Sequence, residues 1–126
     1  MPKVLLVEDS LTDAEILISY LQQIGIAVVK VTNGEEARTT LKSHKLDLVV
    51  LDVMLPGQSG FELCHEFKTN VATGHIPVVL CSTKQTDVDK LWGCLLGADA
   101  YLPKPINKHK LLDTIAELIR LKGLNN

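Results

Sequence analysis

Short apolar runs alternate with longer amphipathic stretches along this chain, the pattern of βα units that build a parallel sheet covered by helices on both faces. The predicted strands are Lys3–Val7, Ala27–Val31, Leu46–Val53, Pro77–Cys81 and Ala100–Leu102. The third holds Leu48, Val49, Val50 and Leu51 in succession, which marks a strand buried on both faces near the middle of the sheet.

Between the first two strands, Ala14, Leu17, Ile18, Leu21 and Ile24 recur at three- and four-residue steps and predict a helix with one apolar stripe. Two starts fit it, a Thr12 to Glu15 capping box or an N-cap at Ser10, and Gly25 follows as the C′ residue. A second helix begins at Asn33 and turns Ala37 and Leu41 inward, and a third is lined by Phe61, Leu63, Cys64 and Phe67. Thr86 to Leu96 forms a fourth, which carries Trp92 and Gly93; an interior glycine costs up to about 1 kcal/mol against alanine, so this helix is expected to be the least rigid. The last follows Asn107, buries Leu111, Leu112, Ile115, Leu118 and Ile119, and frays from Gly123 to Asn126.

These elements make a five-stranded doubly wound α/β sheet, for which ligand sites lie beyond the carboxyl ends of the strands. A length of 126 residues suits one compact domain spanning 1–126. The apolar runs are far shorter than the roughly 20 residues needed to span a bilayer. Lys3 leads directly into a strand without a signal-peptide core, so the expected location is the cytoplasm. A formal charge of −2 disfavours direct nucleic-acid binding, which needs clustered cations in excess. Cys64, Cys81 and Cys94 show neither disulfide nor zinc spacing and are expected to pack as reduced, small apolar residues.

Acidic residues occupy the strand ends that the architecture singles out. Glu8 and Asp9 close the first strand and Asp52 lies near the end of the third. One such aspartate has an ordinary explanation as a helix cap. Three on neighbouring strands bring like charges together, which is unfavourable without a cation between them, and Mg2+ suits a site of few carboxylates. Ser82 and Thr83 end the fourth strand with hydroxyls able to bond a phosphoryl oxygen. Lys104 follows the fifth, between Pro103 and Pro105, and is a counter-charge for a bound anion.

The stretches V-E-D-S at 7–10, L-D-V-M-L-P-G-Q-S-G at 51–60, V-L-C-S-T at 79–83 and G-A-D-A-Y-L-P-K-P at 97–105 resemble the receiver domains of two-component response regulators over essentially the whole chain. That resemblance implies a flavodoxin-like (βα)5 fold with strand order 2-1-3-4-5. It makes Asp52 the phosphoacceptor, Glu8 and Asp9 the acidic pair for Mg2+ and the Met54 carbonyl a further ligand. It also makes Ser82 the switch hydroxyl, Lys104 the phosphoryl contact and Tyr101 the aromatic that changes rotamer, with a cis bond between Lys104 and Pro105. Glu8 departs from the commoner aspartate by one methylene.

The implied activity is a phosphoaspartate switch that takes a phosphoryl group from a sensor histidine kinase and catalyses only its own phosphorylation and dephosphorylation. Its output would pass through the face of the fourth helix, fifth strand and fifth helix to a target protein. The alternative is a phosphate sink or phosphorelay shuttle for a shared kinase. Thr83 to Gly93 further resembles stand-alone regulators of type IV pilus, twitching or phototactic motility, and the absence of an output domain points to docking on a protein rather than a promoter. An aspartate-nucleophile phosphohydrolase would need a general acid where Met54 stands, and no G-x-G-x-x-G follows the first strand to suit a dinucleotide.

Overall fold

A computed structural model describes residues 1–124. The chain alternates strand and helix without exception: β1 Lys3–Val7, α1 Leu11–Gln22, β2 Ala27–Val31, α2 Gly34–Ser43, β3 Leu48–Asp52, α3 Gly60–Thr69, β4 Val78–Ser82, α4 Asp87–Leu95, β5 Ala100–Pro103 and α5 Lys108–Leu124. All strand pairs are parallel and run in the order β2-β1-β3-β4-β5, so the fold is the doubly wound sheet the alternation predicts, in the flavodoxin-like strand order the resemblance implies.

Side chains that alternate along each strand divide the core in two. Leu5, Val7, Val49, Leu51, Val78 and Leu80 face Ala37 of α2 and Leu63, Cys64 and Phe67 of α3. Val4, Leu6, Leu48, Val50, Val79 and Cys81 face Ala14, Leu17 and Leu21 of α1 and Leu111 and Ile115 of α5. Every residue of β3 and β4 is buried, the signature of strands covered on both sides.

Several boundaries move for identifiable reasons. β3 begins at Leu48 rather than Leu46, because Asp47 is drawn to the start of β1: its amide donates to the Lys3 carbonyl and its carboxylate accepts from the Lys3 amide, both at 2.8 Å. β4 begins after Pro77, which has no N–H for the ladder, and extends to Ser82. Ser10, not Thr12, caps α1, its hydroxyl accepting from the Asp13 amide. At the other end Ile26 N–H bonds the Leu21 carbonyl and Gly25, with φ 78°, bonds that of Gln22, a Schellman closure with glycine at the left-handed position. That turn carries Ile24 outward to 48% exposure, against the inward position its spacing predicts. Cys64 and Cys81 are buried as expected, but Cys94 is exposed. α5 continues through Gly123 to Leu124, past the predicted start of fraying, and Asn125 and Asn126 lie outside the described residues.

α4 is held differently from the other helices. A capping box between Thr86 and Asp89 fixes its first turn, and its one fully buried residue is Gly93. A Cβ there would stand 3.0 Å from Cδ2 of Tyr101 and 3.1 Å from Cδ1 of Leu80, so the glycine that weakens the helix is what lets it approach β5. No helix among the described residues is long and apolar enough to cross a membrane.

Candidate functional site

Strand register assembles the site. Val7 pairs with Leu51, so Glu8 and Asp9, one and two residues further along, come level with Asp52 at the carboxyl edge of the sheet. Asp52 pairs with Cys81 and Ser82 with Pro103, which places Ser82 one residue past Asp52 and Lys104 just beyond Ser82. Residues separated by nearly a hundred positions thus meet at one edge.

Lys104 is the centre of the arrangement. Its ammonium Nζ donates to Oε1 of Glu8 at 2.6 Å, Oδ2 of Asp13 at 2.9 Å and Oδ2 of Asp52 at 3.1 Å. The two neighbouring strand-end carboxylates are buried, Glu8 at 1% and Asp52 at 5% exposure, while Asp9 stands at the exposed mouth. The other oxygens of the buried pair are bonded by backbone: Ser10 N–H donates to Glu8 Oε2 at 3.2 Å and Met54 N–H to Asp52 Oδ1 at 3.1 Å.

One lysine does not neutralise this many acids. Burial and then a hydrogen bond shared with the Asp52 carboxylate push the Glu8 carboxyl up to about 7, with Lys104 pulling against both. Burial disfavours the Lys104 ammonium, but its bonds to Glu8 and Asp13 and the charge of Asp52 outweigh that and raise its pKa. Carboxylate oxygens of Glu8, Asp9 and Asp52 lie within 4.8 Å of one another. Opposite ligands around octahedral Mg2+ stand about 4.2 Å apart, so three hard oxygen donors at this spacing fit such an ion after small side-chain shifts.

Ser82 is fully buried at the end of β4, and its Oγ accepts from the Lys84 amide at 3.0 Å; Thr83 is exposed. Tyr101 on β5 packs its ring against Phe61, with centroids 6.4 Å apart, and donates its hydroxyl to the Lys84 carbonyl at 2.5 Å. Burial raises the Tyr101 phenol, with the Ser82 hydroxyl acting in the opposite direction. The Lys104–Pro105 peptide is cis. Met54 follows Asp52 on the loop into α3 with its side chain more than half exposed. That loop is clamped to the strand by Gly60, whose N–H bonds the Val53 carbonyl at 2.9 Å; a Cβ on it would lie 2.1 Å from the Asp52 carbonyl oxygen.

All the residues singled out from the sequence therefore gather at this edge or, for Tyr101, one loop away from it. Two participants escape sequence reasoning. Asp13 lies in the first turn of α1, where an acidic residue is unremarkable, and only the fold brings it to Lys104. Gln85, whose side chain donates to the Lys104 carbonyl at 2.9 Å, has no local signal at all.

The chain has many similar proteins. The family profile described as response regulator receiver domain matches residues 4–116. Protein PilH of Pseudomonas aeruginosa is 36% identical over 115 residues, covering 91% of this chain and 95% of that protein. The transcriptional regulatory protein GltR of the same organism is 35% identical over 93% of this chain, which spans only 48% of GltR. Among solved structures, the chemotaxis response regulator CheY4 of Vibrio cholerae is 29% identical with a TM-score of 0.86, covering 94% of this chain and 98% of that one.

Proposed function

Because this chain belongs to the response regulator receiver domain family, we propose that it is a phosphoaspartate switch, with Asp52 as the acceptor and a sensor histidine kinase as the donor. The observation that carries this reading is the Lys104 ammonium bonded at once to Asp52 and Glu8, at a sheet edge where Ser82 stands on the next strand.

The carboxylate of Asp52 attacks the phosphorus of a phosphohistidine. A P–O bond forms, the P–N bond breaks, and the imidazole leaves with the electron pair and takes up a proton from water. Lys104 turns one of its donors from Asp52 to an oxygen of the transferred group, whose charge is spread over three equatorial oxygens in a loose transition state. Glu8 and Asp9, with Asp52 and the carbonyl of Met54, would hold Mg2+. When bound, the ion supplies charge neutralisation for carboxylate and phosphoryl oxygens. Glu8 and Asp13 keep the ammonium aimed at Asp52 and offset its charge.

The readout runs through Lys84. Its amide bonds the Ser82 hydroxyl and its carbonyl accepts from Tyr101, so drawing Ser82 toward a phosphoryl oxygen releases the β4–α4 loop on which the Tyr101 hydroxyl rests. The surface biased in this way is that of α4, β5 and α5, where a target protein docks. The resemblance of Thr83 to Gly93 to regulators of pilus-based motility, together with the likeness to PilH over most of both chains, supports a role in a motility pathway.

Incubation with acetyl phosphate and Mg2+, followed by intact-mass measurement, tests the reading. One added phosphoryl group is expected, absent from Asp52→Asn and without the metal; an unmodified wild-type protein across several small phosphodonors overturns it.

A further inference from the structure

Lys104 is gripped at both ends. Its ammonium is bonded to Glu8 and Asp52, and its main-chain carbonyl accepts a hydrogen bond from the side-chain amide of Gln85, Nε2 to O 2.9 Å. Gln85 is the last residue of the β4–α4 loop before Thr86, the N-cap of α4. The residue that reaches the acceptor carboxylate is therefore tied, through its backbone, to the start of a helix on the proposed output face.

The two sides of this bond differ in freedom. Lys104 continues the β4–β5 ladder, its N–H bonding the Ser82 carbonyl at 2.8 Å, and Pro103 and Pro105 restrict the backbone on either side of it. Thr83, Lys84 and Gln85 are all exposed, so no apolar burial seats the loop and its position rests on hydrogen bonds. Those of Lys84, to the Ser82 hydroxyl and from Tyr101, belong to the readout already described. Beyond Gln85, Thr86 N–H bonds Asp89 Oδ2 at 3.2 Å and Asp89 N–H bonds Thr86 Oγ1 at 3.1 Å, a capping box that makes the first turn of α4 move as a unit. Gln85 is the joint between that unit and the fixed main chain of Lys104.

We propose that Gln85 is a positioning residue for the phosphorylation of Asp52: it latches the loop ahead of α4 to the Lys104 carbonyl, holds the resting arrangement, and lets go when Ser82 is drawn to the phosphoryl group. The proposal rests on the phosphoaspartate reading above and adds to it a contact that passes through neither Ser82 nor Tyr101. A contact made in only one of two arrangements shifts the balance between them by its own worth and no more. An exposed amide–carbonyl bond is worth little, so the latch biases the switch by about two- to fivefold.

Gln85→Met keeps the length of the side chain and removes the donor, and Gln85→Ala removes the side chain altogether. Both changes are neutral and exposed, so circular dichroism should show an unchanged fold. With acetyl phosphate and Mg2+, time courses of intact mass should show Asp52 labelled about two- to fivefold faster in both variants than in wild type. Before any donor is added, the amide NMR peaks of α4 in the variants should be displaced along the line that leads from resting to fully labelled wild type, a displacement that loss of a merely structural contact does not produce. Unchanged or slower labelling in either variant, or peaks displaced off that line, overturns the latch and leaves the phosphoaspartate reading standing, because wild-type labelling is measured in the same series. A wild-type protein that takes up no label overturns both.

Discussion

Gly93 of α4 and Tyr101 of β5 are packed so closely that a methyl group on the glycine would touch the phenol ring at 3.0 Å. The contact joins the helix with an apolar outer face to the residue whose hydroxyl holds the Lys84 carbonyl. It also explains a residue that intrinsic propensity disfavours at the middle of a helix.

A double-mutant cycle tests that contact. Gly93→Ala removes a helix penalty of up to about 1 kcal/mol but forces the ring aside, so little or no stabilisation is expected in the wild type. In a Tyr101→Ala background the same change should stabilise the protein, leaving a coupling energy of about 1 kcal/mol between the two sites. Additive denaturation midpoints would show that the ring yields freely.

Gly60 is a stricter case. A Cβ would lie 2.1 Å from the Asp52 carbonyl oxygen and 2.7 Å from the Val53 Cα, backbone that cannot turn away as a side chain does. Gly60→Ala should cost about 3 kcal/mol or more in urea unfolding and slow the labelling of Asp52 by acetyl phosphate. A variant with wild-type stability would mean that the loop into α3 is loose enough to shift.

The raised pKa of Glu8 makes stability depend on pH when metal is withheld. A carboxyl at 4.5 in the unfolded chain and about 7 in the fold contributes fully below pH 4.5 and loses that contribution as pH rises through 7. Glu8→Gln does not titrate. In Mg2+-free buffer its stability relative to wild type should climb between those limits, by about 2–4 kcal/mol. Calorimetry at several pH values reads the difference, and a flat difference would show a carboxylate already charged at pH 5.

Lys104 competes with any cation for Glu8 and Asp52. Replacing it by methionine leaves those buried carboxylates without a counter-charge, so the metal-free protein should lose about 3–5 kcal/mol and bind Mg2+ more tightly than wild type. A Mg2+ titration followed by calorimetry measures both effects. Weaker Mg2+ binding in the variant would mean that the lysine orders the carboxylates for the metal rather than opposing it.

The αβ alternation, the buried central strand and the carboxylates at strand ends were legible along the chain, because spacing at two or at three to four residues is a local property of a polypeptide. Asp52, Glu8 and Asp9 stood out for the same reason, each a charge at the end of an apolar run. What no local pattern reveals is contact between distant segments. That Lys104 reaches Glu8, Asp13 and Asp52 depends on strand order and register, which bring residues 8 and 104 within 2.6 Å. Whether an apolar residue is covered was decided the same way. The helical period puts Leu91 and Leu95 on one face, yet only the seating of Gly93 on Tyr101 turns that face to solvent, and only the Schellman turn at Gly25 exposes Ile24. Periodicity says which residues share a side, and packing between elements decides what that side meets.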